Sequence, residues 1–424
     1  MKVVIVGGVA AGMSAATRLR RRDEDAHIVV FERGEHVSFA NCGLPYYVGG
    51  VITERDALLL QTPASLASRF RIAVRTRHEV VAIDRAAKTV RVRDLAAGTE
   101  SNESYDALVL APGAAPFVPD LPAADRALAL RNIADVDRMH AAVAKQPRTA
   151  VVLGAGFIGL EMAENLVKRG VRVTVVELAD QVLAPLDPEM AALVQQRLTD
   201  QGVRVCTGTQ VSAYDGSSAT LGDGSTVPAD LLIAAIGVRA ESTLAADAGL
   251  ATNARGGIVV DEQQRTSDPA VYAVGDAAQK RDAIDGGPAM VPLAQTANRH
   301  GRLVADVITG RVGAAAPVLG TAIVELFGLV VAASGMRSPL PRRMSAWVSP
   351  FLNSLARARL HASRTLPLRL RAPRCRAAPA SALGTPASAK AAATWASVPL
   401  SWLSRLGFRM RDNSGTASSA AMAA

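Results

Sequence analysis

The chain has 424 residues, three cysteines and a formal net charge of +9. That length accommodates two or three domains. Scattered cysteines argue against a disulfide framework and for a reducing cytoplasm. The basic charge is unevenly placed: residues 337–424 hold 13 Arg, one Lys and one Asp, so that residues 1–336 carry −4. Nucleic-acid binding would rest wholly on that tail, which has no folded motif, and no nucleic acid is expected as a partner. No uninterrupted apolar run reaches roughly 18 residues, so no membrane span is expected.

In chain order, residues 2–7 read as a buried parallel strand with no signal peptide before it. Residues 12–22 read as a helix with Met13, Ala16 and Leu19 on one face, and 27–32 as the next strand. This is the length and period of a Rossmann βαβ half. Gly7, Gly8 and Gly12 form an irregular dinucleotide fingerprint, because Val9 takes the middle-glycine position; Glu32 follows 20 residues after Gly12. The Val9 side chain must then point away from a pyrophosphate.

Cys42 comes next, in Ser38-Phe39-Ala40-Asn41-Cys42-Gly43-Leu44-Pro45-Tyr46, with no second cysteine near it in sequence. A lone thiol cannot relay electrons through an internal disulfide. It must react with an outside disulfide, persulfide or peroxide. Pro45 predicts a helix starting near Cys42, and a helix N-terminus favours the reactive thiolate. The bland alternative is a small buried residue, the reading given to Cys206 and Cys375.

Residues 72–80 and 88–94 read as β segments. Residues 106–113 form a strand ending in the turn Pro112-Gly113, and 230–237 a parallel passage ending in Gly237. A second βαβ unit spans 149–177, with the full fingerprint Gly154, Gly156 and Gly159 and with Glu177 ending the next strand. Glycines at these positions allow the tight turn, the close approach of pyrophosphate and tight helix–strand packing. The carboxylate of Glu177 favours NADH over NADPH by accepting from both ribose hydroxyls and repelling a 2′-phosphate. Residues 271–276 give a strand ending in Gly275-Asp276, ahead of a helix over 291–308. Asp276 is suited to a flavin ribityl chain, or alternatively to a helix N-cap. Two fingerprints with this Gly-Asp point to FAD as the second nucleotide. Beyond Met336 the Ala-, Arg-, Ser- and Pro-rich composition reads as an unstructured tail.

The segments Ser38–Tyr46, Gly154–Glu164 and Val271–Ala277 together resemble the single-cysteine branch of the pyridine nucleotide–disulfide oxidoreductases, over about residues 1–336. The resemblance implies an α/β fold of two Rossmann-like domains: FAD-binding residues 1–112 and 241–316, NAD(P)-binding residues 113–240, a truncated α+β dimerisation domain at 317–336, and the tail 337–424. It implies Cys42 as nucleophile and redox centre. Ser38, Asn41, Ser14, Arg18, Arg21, Arg22 and Asn298 would contact a thiol or disulfide substrate of the coenzyme A type. It implies no metal. Ala10 stands where the peroxidase members carry a histidine, which favours disulfide or persulfide reduction. An NADH oxidase cycling Cys42 through sulfenic acid is the rival activity. Members are homodimers, but the resemblance stops after residue 336, as a frameshift or fusion would make it. No tyrosine follows Tyr272. A chain so truncated would expose apolar strands around 320–333 and could be an inactive nucleotide-binding protein.

Overall fold

The computed structural model describes residues 1–120 and 126–335. The tail 337–424, with Cys375, lies outside the described residues. Two five-stranded parallel sheets dominate. The first runs Val271–Ala273, Ala107–Leu110, Lys2–Val6, His27–Glu32, Ala73–Thr76 from edge to edge. The second runs Leu128–Ala129, Leu231–Ala234, Thr149–Leu153, Arg172–Val176, Arg204–Cys206. Each sheet thus has the fingerprint strand at its centre and the carboxylate-bearing segment beside it.

Alternate side chains of the central strands enter two cores. Val3, Ile5, Ile28 and Val30 pack beneath the helices Ala10–Arg22 and Ala294–Ile308. Val4, Val6, Val29 and Phe31 face the other way, toward Val80, Val90 and Val92 of a three-stranded antiparallel sheet. A strand buried on both faces reads as a continuous apolar run, as Lys2–Val6 and Thr149–Leu153 do.

Some predicted elements shift. Residues 72–80 are two strands, not one: Ala73–Thr76 joins the parallel sheet and His78–Asp84 the antiparallel one. The break is Arg77, whose φ of 56° lies in the left-handed region and ends the extended run. The predicted 291–308 helix begins three residues later, at Ala294.

Residues 320–333 are also less exposed than expected. They form the antiparallel hairpin Ala322–Leu326 and Leu329–Ala333. Val324, Leu326 and Val331 are buried in the same cluster as Leu160 and Ala163 of the helix Phe157–Lys168. The Phe327 N–H donates to Glu164 Oε1 at 3.0 Å. Only the outward alternate positions, such as Ile323, stay open. The strand period turns one face onto the second Rossmann unit.

Candidate functional site

The two fingerprints have nearly the same backbone. Gly7 (φ +100°) donates to Phe31 O and Gly154 (φ +94°) to Val176 O, both at 2.8 Å. A Cβ on Gly7 would lie 2.1 Å from Ala111 O, and one on Gly154 2.5 Å from Ala235 O. Gly12 and Gly159 would meet the carbonyls of Gly7 and Gly154 at 1.9 and 2.1 Å. These four glycines are required by the fold. Gly156 differs: nothing in the protein lies within 4 Å of a Cβ built there. Gly8 fills the first turn more tightly, its Cβ position lying 2.7 Å from Val37 Cγ1. Val9 is half-buried against the cluster containing Phe39 and Leu44, the disposition a valine at this position requires.

Each carboxylate is held by two backbone N–H groups. Glu32 accepts from Gly8 and Gly34, both at 2.8 Å. Glu177 accepts from Ala155 at 2.6 Å and from Ala179 at 2.8 Å. The turns carrying Pro112-Gly113 and Gly237 lie at the ends of the neighbouring strands. Gly113 and Gly237 have φ of +79° and +125°.

The residues fit two dinucleotides. Two other helices are closed by side chains, Thr62 with Ser65 and Asn132 with Asp135 forming capping boxes, while Ala294–Ile308 is uncapped like the fingerprint helices. The helices Ala10–Arg22 and Phe157–Lys168 have no side-chain cap and no acid in the first turn. Their free N–H groups and dipoles suit a pyrophosphate. Asp276 does not serve as a cap. Val274 occupies the cap position of the short helix Gly275–Ala277. Burial raises the pKa of the Asp276 carboxyl, while Lys280 and Arg131 oppose the shift. Lys280 is itself buried. It donates to Gly275 O at 2.5 Å and Ala278 O at 2.8 Å, and burial lowers its pKa to about 8.

Cys42 stands where the two units meet. It occupies the 3₁₀ turn Asn41–Gly43, ahead of the short helix Leu44–Val48. Leu44, Tyr47 and Val48 share a core with Leu160, Ala163 and Leu166 of the second fingerprint helix. The Tyr46 hydroxyl donates to Glu161 Oε1 at 3.4 Å. Cys42 is solvent-exposed on one side and enclosed by protein on the others. That enclosure raises its thiol pKa, and Glu161 and then Asp276 add to the rise. The expected thiolate-favouring helix end is therefore not what the protein alone supplies. The helix is only five residues long, and Cys42 precedes it.

The substrate candidates fall into two groups. Ser38 (φ 49°) lies near Cys42 and ties back to Gly8 O at 2.8 Å. Asn41 adjoins Cys42 and is exposed. Ser14 and Asn298 meet across the first and last helices, the Ser14 hydroxyl donating to Asn298 Oδ1 at 2.9 Å. Arg18 makes a two-pronged bond to Asp306 at 2.9 and 3.0 Å, with Arg22 Nε 3.6 Å from the same carboxylate. Arg18 is therefore engaged, whereas Arg21 is exposed. Residue-type reasoning passed over Tyr46, Glu161, Lys280 and His300. The signal for Glu161 was an acid on the fingerprint helix next to otherwise apolar positions. His300 is buried with Nδ1 unpartnered, and burial lowers its pKa to about 4.

Two uncapped fingerprint helices, two carboxylates at the ends of the adjoining strands and a cysteine at their junction fit a two-dinucleotide oxidoreductase. Residues 1–301 match the family described as pyridine nucleotide-disulphide oxidoreductase, and the chain belongs to it. It is an FAD-dependent enzyme of that family, using NAD(H). The chain is 33% identical over 342 residues to coenzyme A disulfide reductase of Staphylococcus aureus, covering 79% of this chain and 77% of that one. The reduced Bacillus anthracis CoADR-RHD structure is similar at 46% identity and a TM-score of 0.78. It covers 80% of this chain, which spans 62% of that one. An NAD-dependent persulfide reductase from A. fulgidus matches at 38% identity and a TM-score of 0.78, over 80% of this chain and 64% of that one. Among the described residues, no helix is long and apolar enough to cross a membrane.

Proposed function

We propose that this chain uses NADH to reduce a coenzyme A-type disulfide or persulfide through Cys42. The observation that carries the reading is the position of Cys42, in the turn ahead of the helix Leu44–Val48, which shares a core with the second fingerprint helix. Resemblance to a coenzyme A disulfide reductase and to a persulfide reductase supports the substrate class.

Gly7, Gly8, Gly12, Glu32 and Asp276 would hold FAD, with Pro112 and Gly113 at its edge. Gly154, Gly156, Gly159, Glu177 and Gly237 would hold NADH. When bound, the flavin accepts hydride from the nicotinamide and passes an electron pair to sulfur. The protein's part is positional. Glu32 and Glu177 orient the riboses, and the free helix N-termini neutralise the pyrophosphates. The shared core of the helix Leu44–Val48 and the helix Phe157–Lys168 fixes Cys42 relative to both. Cys42 attacks the substrate disulfide to give a mixed disulfide and a released thiol. Two electrons from NADH then free Cys42 and the second thiol. Ser38 and Asn41 would line the sulfur's approach, and Ser14, Arg21, Arg22 and Asn298 would receive the rest of the substrate. Arg18 joins them only by leaving Asp306.

Anaerobic titration of purified holoprotein tests this. NADH should bleach the flavin, and coenzyme A disulfide should restore its colour with release of thiol. Recolouring by oxygen alone, with no effect of the disulfide, would establish the NADH oxidase reading instead. Yellow protein inert to NADH would favour the inactive one.

A further inference from the structure

Asn165 is wholly buried on the helix Phe157–Lys168. Its Nδ2 donates to Glu161 O at 2.8 Å, whereas among the described residues its Oδ1 has no hydrogen-bond donor. An unmatched buried acceptor costs stability that a leucine of similar shape would not, so the amide needs another account. What stands before it is Gly49, the cap residue of the helix Leu44–Val48. A Cβ built on Gly49 would lie 2.0 Å from Oδ1 and 2.7 Å from Cγ of Asn165. Gly49 has φ −71°, which any residue adopts. The position therefore uses the missing side chain of glycine and not its backbone freedom. We propose that Asn165 is a positioning residue for Cys42: seated flush on Gly49, it sets the register of the cysteine-bearing segment on the second fingerprint helix. The inference rests on the reading of Cys42 as a disulfide-reducing thiol and deepens it.

The seat reaches the sulfur through one short hydrogen-bonded piece. Gly49 N–H donates to Pro45 O at 3.0 Å, Leu44 N–H to Asn41 O, and Gly43 N–H to Ala40 O at 2.9 Å. The helix and the turn holding Cys42 are thereby tied together. Neighbouring turns of the fingerprint helix repeat the contact. Glu161, Asn165 and Arg169 recur every fourth residue, the spacing of one helix face. Glu161 receives the Tyr46 hydroxyl at 3.4 Å, Asn165 meets Gly49, and Arg169 Nη1 lies 3.0 Å from a Cβ built on Gly50. One Cα–H of Gly49 takes the direction of that built Cβ and so points at Oδ1, a weak contact that depends on close approach. The bond from Nδ2 to Glu161 O keeps the amide from turning. Asn165 thus acts on the chemistry only through where it holds the sulfur.

The test uses the holoenzyme. Gly49→Ala drives a methyl into the amide and should slow reduction of coenzyme A disulfide by roughly 100-fold, what a misplacement of about 1 Å costs. Bleaching of the flavin by NADH, which does not use the sulfur, should keep its wild-type rate. Asn165→Ala should slow the disulfide step by less. Combining the two removes Oδ1 and Cγ, leaves the Asn165 Cβ 2.8 Å from the new methyl, and should regain part of what Gly49→Ala lost. Hydrogen exchange read by mass spectrometry should show protection lost at residues 44–50 in Gly49→Ala and kept at 149–153. Retained flavin absorbance verifies folding. A purely structural role would slow both steps together, and the second substitution would add to the damage. Equal slowing of both steps, or a double variant no faster than Gly49→Ala, overturns the proposal. If the wild type ignores coenzyme A disulfide, the substrate reading fails by itself, and alkylation of Cys42 by iodoacetamide, followed on its peptide, takes the place of the disulfide step. A rate changed in Gly49→Ala and returned toward wild type in the double variant then supports the seat, and an unchanged rate overturns it.

Discussion

In the first Rossmann unit a Cβ on Gly12 would collide with the carbonyl of Gly7, and in the second a Cβ on Gly159 would collide with that of Gly154. Glu32 and Glu177 grip equivalent backbone amides in the two units. Yet the middle position is Val9 in one and Gly156 in the other, and the outermost strand follows the rest of its sheet in sequence in the first unit but precedes it in the second. Val271–Ala273 closes the first sheet from behind, whereas Leu128–Ala129 closes the second from in front. Within the fingerprints, the glycines that face backbone are needed by the fold, whereas Gly156 faces open space and is free to answer to a ligand.

That distinction is open to direct attack. Gly12→Ala should have the largest effect. The chain must shift around a Cβ placed 1.9 Å from a carbonyl oxygen, at a cost above about 3 kcal/mol. Purified protein should be colourless and its thermal unfolding transition lowered or lost. Gly156→Ala should leave stability within about 0.5 kcal/mol, because nothing occupies the space its Cβ enters. It should instead raise KM for NADH by about tenfold, read by steady-state kinetics. Should melting fall as far as in Gly12→Ala, the division between fold and ligand glycines fails.

Glu177→Ala sharpens the carboxylate comparison. It should narrow the preference for NADH over NADPH by about tenfold, or roughly 1.4 kcal/mol, while flavin content stays unchanged. The smallest effect belongs to Glu241, which receives Arg33 from one unit and Arg131 near the linker to the other. Burial opposes its ionisation, but the two arginines prevail and lower its pKa. A carboxyl depressed on folding stabilises above its unfolded pKa, and that stabilisation is lost as pH falls through the folded value. Glu241→Gln should therefore cost about 1 kcal/mol at pH 7, with the difference from wild type vanishing in acid, as thermal melts at several pH values would show.

The parts of this plan legible in the sequence were those encoded locally. Strand, glycine turn, helix and terminal carboxylate follow one another within about 30 residues, so both βαβ units and both carboxylates could be read directly. What depended on distant partners could not. The break at Arg77 carries no glycine or asparagine to announce it. The environment of Cys42 is set by burial first and then by Glu161 and Asp276, far along the chain, and together they raise its thiol pKa. Arg18 looked like a phosphate ligand because Asp306, which occupies it, lies on the last helix. The hairpin at 322–333 looked unprotected for the same reason: its cover, the helix Phe157–Lys168, is not its sequence neighbour.

The chain passes between the two units in two places, and those passages are bonded to each other. Ala114–Pro116 and Val238–Ala240 pair antiparallel, with further bonds from Phe117 N–H to Gly237 O at 2.9 Å and from Glu241 N–H to Gly113 O at 3.0 Å. Two separate tethers would let the halves twist and slide. A bonded ribbon resists both and bends most readily across its width, at the left-handed glycines 113 and 237 that bracket it. The two passages thus form one bonded ribbon rather than two independent tethers.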